Sequence, residues 1–261
     1  MPAPNEITPA QLSRLIGTPE CPVLIDVRIA SDFDEDPRTL PTARRQSHLQ
    51  IDALATELMG KRAVVICHKG LKLSQGSAAI LRTQGIACEV LKGGHVGWTE
   101  AGLPLAKPAL HNSLWVTKHR PKIDRIACPW LIRRFIDPAA RFLFVAPSEV
   151  GNVAEKFQAI SFDMQDSTYT HQGDQCTFDA IMDAYGLSTP ALDRVARIVR
   201  AADTDTLTTE PEAAGLLALS LGLSRMYRDD LEQLDHGLHL YDALYRWARD
   251  ATHEAHTWEE G

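Results

Sequence analysis

Cys67 is the residue in this 261-residue chain whose neighbours most clearly prepare it for chemistry. It follows an apolar run, Val64-Val65-Ile66, that reads as a buried strand. A short loop containing Gly70 then leads to a helix predicted to open at Ser74 and to run through Ala78, Ile80 and Leu81. A thiol between a strand end and a helix N-terminus faces converging backbone N–H dipoles, which favour thiolate over thiol. His68, Lys69 and Lys72 add positive charge around it. These residue types in this order predict a nucleophile with an anion held beside it. The alternative is a buried, inert cysteine after a strand, the commoner fate of a lone cysteine. The glycine, the helix start and the cations tell against it.

A second group of candidates lies further along. His171 and Cys176 stand around Gly173, just before a helix opened by Thr177, and both are competent transition-metal ligands. Asp203 follows the apolar-periodic run ALDRVARIVRAA and can project from a helix end as a further ligand, with Glu210 and Glu212 close behind in sequence. Zinc or iron is the expected ion. No second tight pair accompanies His171 and Cys176, so the pattern is weaker than a zinc finger's, and a loop histidine beside a buried cysteine is the alternative. Arg125, Arg133 and Arg134 belong to a segment, 118–134, that holds six Lys/Arg against one acid, Asp124. They are candidates for an oxyanion site; an ordinary cationic face paired with the chain's own acids is the competing reading. His236 and His239 read as surface or core residues rather than ligands.

The elements that must hold these groups follow from periodicity. Thr8 caps a short helix with Pro9 in its first position, and a strand follows at Val23–Arg28. An acidic loop is expected at Asp32–Asp36, a helix at Ile51–Met59, a strand at Ala87–Leu91, a turn at Lys92–His95 and a short helix from Val96. Strands alternating with helices predict an α/β domain with a mainly parallel sheet, whose catalytic loops lie at the carboxyl ends of the strands, where Cys67 falls. After a linker at 108–113, strands are expected at Leu114–Thr117 and Arg141–Val145 and helices around Ile126–Ile136, Val150–Gln158, Glu212–Leu221 and Asp229–Arg249, giving a mostly helical α+β domain. The boundaries are 1–107 and 114–261.

Hydrophobic residues make up 44% of the chain, enough for two buried cores, and no apolar run approaches the length of a membrane helix. The N-terminus has neither a basic nor an apolar leader region, so the cytoplasm is the expected compartment. Five cysteines, widely spaced and without a CxxC, argue for reduced thiols rather than a disulfide framework. Net charge is -7. Residues 1–108 are near neutral, with 12 Lys/Arg against 11 Asp/Glu, and the remainder is acidic, with 15 against 23. Such a chain is a poor general nucleic-acid binder.

The LIDVR strand, the strand–cysteine–loop–helix unit and the closing GGHVGWTEAGLPL together resemble a rhodanese (sulfurtransferase) domain over residues 5–107. The resemblance implies that Cys67 takes a sulfane sulfur as a persulfide and passes it to a nucleophile. His68, Lys69, Gly70 and Lys72 would hold the donor anion, thiosulfate for example. Arg28 would belong to the same substrate-binding set, with Asp26 and Arg28 supporting the loop. No cofactor is required for that transfer, and a small-molecule sulfur donor and a thiol acceptor are the partners. The loop resembles in length that of cell-cycle tyrosine phosphatases of the same fold. Those need an arginine where this chain has Leu73, which argues against a phosphatase. LPTARR stands where the family usually has GHIPGA.

The second half, through RPKIDRIACPWLIRRFID, HQGDQCTFD, IVRAADT, PEAAGL and YDALYRW, resembles the C-terminal domain of ChrB-type chromate-resistance proteins over about residues 114–250. This implies a role in chromate resistance or response, with chromate or another oxyanion as a ligand. Regulators of that family carry a different N-terminal portion, and the rhodanese-like part in its place argues against DNA binding. Cys128 and Cys176 are candidate internal sulfur acceptors.

Overall fold

The computed structural model describes residues 5–108 and 111–254. Residues 109–110 of the expected linker and the tail from residue 255 lie outside the described residues. The chain divides into two compact units: one takes residues up to Leu114 with Leu131–Arg141 and Asp183–Leu187, the other takes Trp115–Trp130, Phe142–Met182 and the residues from Ser188 on.

The first unit is built on a five-stranded sheet in the order β1-β5-β4-β2-β3, with every described pairing parallel. Its strands are β1 (Glu6–Ile7), β2 (Val23–Asp26), β3 (Arg44–Arg45), β4 (Arg62–Ile66) and β5 (Ala87–Leu91). Ala63, Val64, Val65 and Ile66 of β4 are fully buried, the near-continuous apolar run that a strand covered on both faces requires. Helices α1 (Pro9–Ser13), α2 (Ala30–Glu35), α3 (Ala55–Leu58) and α4 (Lys72–Thr83) connect the strands, with a 3-10 turn at His48–Leu54, and α5 (Gly94–Glu100) follows β5. Thr8 caps α1 in a capping box with Gln11. The expected α/β class is therefore present. The acidic stretch from Asp32, expected as a loop, belongs to α2; Phe33 on it lies under the guanidinium groups of Arg28 and Arg45.

The second unit holds a three-stranded sheet, β7-β6-β8, made of β6 (Leu114–Lys118), β7 (Arg141–Val145) and β8 (Ile160–Ser161). Its helices are α6 (Asp124–Leu131), α7 (Val150–Phe157), α8 (Thr177–Tyr185, its last residues grouped with the first unit), α9 (Pro190–Asp203), α10 (Ala213–Met226) and α11 (Asp230–Asp250), and the π-helical turn Ile132–Ile136 that follows α6 is grouped with the first unit. Trp130 anchors the core: it is fully buried, packs near Phe178, Tyr241 and Tyr245, and donates its indole N–H to Asp242 at 2.8 Å. Arg120 sits at the end of α10, donating to the carbonyls of Ser224 and Tyr227, as a cation at a helix C-terminus should. No helix among the described residues is long and apolar enough to cross a membrane.

Candidate functional site

Cys67 emerges from the carboxyl end of β4, the middle strand of the first sheet, where loops of a parallel sheet collect functional groups. Two facts of covalent geometry hold its loop. Gly70 has φ +69°, and a Cβ there would lie 2.6 Å from the Leu91 carbonyl oxygen. Gly94 has φ +60°, and a Cβ there would lie 2.2 Å from the Cys67 carbonyl oxygen and 2.5 Å from the Gly70 nitrogen. The two backbones thus touch, and only glycine fits at either contact. Hydrogen bonds complete the clamp: the amides of His95 and Val96 donate to the carbonyls of Cys67 and His68 at 2.9 and 3.0 Å.

The helix after the loop begins at Lys72, with Leu71 in the cap position, and not at Ser74 as expected. Ser74 is buried within the first turn because its hydroxyl has inward partners: the Leu71 carbonyl at 3.2 Å and the Cys67 sulfur at 3.1 Å. Among the described residues, that serine hydroxyl is the side-chain hydrogen-bond partner of the sulfur. Cys67 is 4% exposed. His68 is half-buried, and its Nδ1 has no hydrogen-bond partner among the described residues; Lys69 and Lys72 are exposed and Gly70 is buried. The loop therefore presents two solvent-facing cations beside a recessed thiol.

Arg28 is placed differently from the other expected anion-binding residues. Its side chain is fully buried, forks onto Asp26 at 2.7 to 3.1 Å, and gives its remaining donors to the carbonyls of Asp36 and Arg38. With those donors committed it braces the end of β2, which pairs with β4 through Asp26 and Ile66. This makes it a positioning residue. His95 stands 3.8 Å from the Asp36 carboxylate, and burial, with Arg28 next in weight, holds its imidazole below the usual range.

The remaining thiols are set against reactivity by burial. Desolvation pushes those of Cys21 and Cys88 up to about 11. Cys128 and Cys176 are fully buried, and desolvation together with nearby carboxylates raises both strongly. Neither presents itself as a ready sulfur acceptor.

In the second unit, His171 and Asp203 do come together: the imidazole Nε2 lies 3.1 Å from Asp203. It also lies 3.5 Å from Asp163 and 3.6 Å from Asp124, neither of which sequence reasoning named as a ligand. Asp124 was visible only as the lone acid in a basic stretch, and Asp163 only as the last residue of the possible strand Ile160–Asp163. Asp124 is the first residue of α6, Asp203 the last of α9, and Asp163 follows β8 at φ +54°. Cys176 does not share this convergence of ligand atoms, which comprises Asp124, Asp163 and His171 within 4.8 Å. Its place is at the entry to α8, where its thiol hydrogen-bonds the Asp124 carboxyl.

Arg125 pairs with Asp163 at 3.3 Å. Arg133 and Arg134 are grouped with the first unit, and Arg133 donates to the Ala140 carbonyl. His236 and His239 are exposed, and His236 stacks on Tyr227.

Comparison with known proteins adds two family matches. Residues 115–248 match the model of the ChrB C-terminal domain, and residues 8–101 match that of the rhodanese-like domain. A curated relative, Protein ChrB of Cupriavidus metallidurans, is 34% identical over 132 residues. The match takes in 50% of this chain and 39% of that protein, so the chain covers well under half of that relative's length. Among solved structures the chain is similar to a rhodanese-related protein from Thermoplasma volcanium (20% identical, TM-score 0.34, 39% of this chain and 97% of that one). It is also similar to a thiosulfate sulfurtransferase from Pseudomonas aeruginosa (26% identical, TM-score 0.33, 41% of this chain and 20% of that one).

Proposed function

The chain belongs to the ChrB C-terminal domain family and carries a rhodanese-like domain ahead of that part, and on that premise we propose that it is a sulfurtransferase with Cys67 as its nucleophile, acting in a chromate-resistance context. The observation that carries the reading is the seating of Cys67: a thiol at the carboxyl end of the central strand, in a loop fixed by Gly70 and Gly94, facing the first turn of α4 and flanked by exposed Lys69 and Lys72.

In the proposed reaction the Cys67 thiolate attacks the outer sulfur of thiosulfate. A sulfur–sulfur bond forms to the enzyme, the donor's sulfur–sulfur bond breaks, and sulfite departs with the electron pair. A thiol or cyanide then attacks the outer sulfur of the persulfide, and the Cys67 thiolate leaves. The first-turn amides of α4, which have no intrahelical acceptors, and the two lysines stabilise the anions on both sides of these steps. Ser74 orients the sulfur, and Arg28 with Asp26 keeps β2 and the loop beside it in place. The domain boundary falls in 108–113, the donor and acceptor are small molecules, and chromate or a related oxyanion is the ligand of the second unit. Reduced thiols fit a cytoplasmic setting.

Thiocyanate formation from thiosulfate and cyanide tests this. Wild-type protein turns over, Cys67→Ser falls to the uncatalysed background, and Cys21→Ser retains activity. Wild-type protein that forms no thiocyanate, or a Cys67→Ser variant as active as wild type, overturns the assignment.

A further inference from the structure

The cluster in the second unit is independent of the sulfur chemistry. Three carboxylates, those of Asp124, Asp163 and Asp203, surround one imidazole nitrogen at 3.6, 3.5 and 3.1 Å. The elements that deliver them are far apart in sequence: the start of α6, the second residue past β8, the loop before α8, and the end of α9. Asp124 is fully buried, and although its Oδ2 accepts from the amide of Thr177 at 2.7 Å, its Oδ1 has no hydrogen-bond partner among the described residues. A buried carboxylate oxygen is expensive to leave unsatisfied, and a bound cation would satisfy it.

We propose that Asp124, Asp163, His171 and Asp203 form a binding site for one divalent first-row transition ion of the Mn(II) or Fe(II) kind. The donor set decides the class. One imidazole nitrogen with carboxylate oxygens suits a borderline-to-hard divalent ion and disfavours a thiolate zinc site. Cys176, expected from the sequence as a ligand, is not among the converging ligand atoms; its thiol hydrogen-bonds the Asp124 carboxyl and its amide donates to Asp179 at 3.0 Å.

The surroundings of the ligands are those of a supported metal site. Thr177 holds two of them, giving its amide to Asp124 and its hydroxyl to Asp163 at 3.2 Å. Arg125 fixes Asp163 from the other side at 3.3 Å, and the Asp124 amide donates to the Asp203 carboxylate. The His171 side chain is 40% exposed and Asp124 is 0% exposed, so the cluster runs from a buried carboxylate to a solvent-reached imidazole.

The test is titration of the full-length protein with Mn(II), following loss of the free-ion electron paramagnetic resonance signal, with Zn(II) as competitor. One ion binds per chain. His171→Gln, at a solvent-facing position that should fold normally, weakens binding by at least tenfold, as does Asp163→Asn; Asp174→Asn, a neighbouring acid outside the cluster, does not. Melting temperature gives a second readout: Mn(II) raises it in wild type and leaves it unmoved in His171→Gln. Absence of Mn(II) and Zn(II) binding at millimolar ion, or binding unchanged in both His171→Gln and Asp163→Asn, overturns the proposal. Cys67→Ser binds Mn(II) as wild type does, so the outcome is separate from that of the sulfurtransferase reading.

Discussion

Gly94→Ala is expected to lower sulfur transfer by on the order of 100-fold, the usual consequence of a displacement of about 1 Å at reacting atoms. The added methyl would stand 2.2 Å from the Cys67 carbonyl oxygen, 2.5 Å from the Gly70 nitrogen and 2.8 Å from the His68 carbonyl oxygen. All three are backbone atoms, so no side chain can swing away, and the nucleophile's own peptide must move. A matched control separates this clash from the conformational penalty of a left-handed residue. Gly85 has φ +80° and nothing within 4 Å of a Cβ built on it. Gly85→Ala should cost about 1 kcal/mol of stability and leave turnover intact. Thiocyanate kinetics on the two variants at matched folded fraction measure the difference. Equal activity in both would show that the glycine clamp does not position Cys67.

Arg28→Ala should destabilise the first unit by about 3–5 kcal/mol, because it strands the carboxylate of Asp26 in the interior. Asp26 is 2% exposed and receives both the guanidinium fork and the Arg28 amide. The same substitution removes the donors that tie down the carbonyls of Asp36 and Arg38. Replacing the pair together, Asp26→Leu with Arg28→Met, should recover much of the loss, since no charge then remains buried. Denaturant melts of the single and double variants check this. A single variant within about 1 kcal/mol of wild type would mean that water reaches the pair and screens it.

These two predictions rest on features that differed in how visible they were in sequence. The strand before Cys67 was legible because four successive buried positions demand apolar residues, and the glycines of the closing motif pointed to a tight turn. The start of the following helix was misjudged because serine is a favoured cap. Ser74 instead turns its hydroxyl inward to Cys67, a tertiary contact that outweighs cap preference. The acidic stretch at Asp32 was misjudged for a similar reason: Phe33 docks under two arginines and stabilises a helix whose composition argues for a loop. In the second unit, His171 and Asp203 were recognisable from residue type and helix position, but Asp124 and Asp163 were not. Their partnership with His171 exists only once α6, β8 and α9 are packed, and no local spacing encodes it. The arginine-rich segment stood out by charge alone. Its charge contrast is real, yet Arg125 is engaged by Asp163 and Arg133 by a carbonyl.

The central claim is that Cys67 carries sulfur, and intact-mass spectrometry after incubation with thiosulfate tests it most directly. The wild-type chain should gain one sulfur, about 32 Da, that dithiothreitol removes, and Cys67→Ser should gain nothing. A wild-type mass unchanged by thiosulfate and by polysulfide, or the same adduct on Cys67→Ser, would contradict it and leave the first unit as a scaffold.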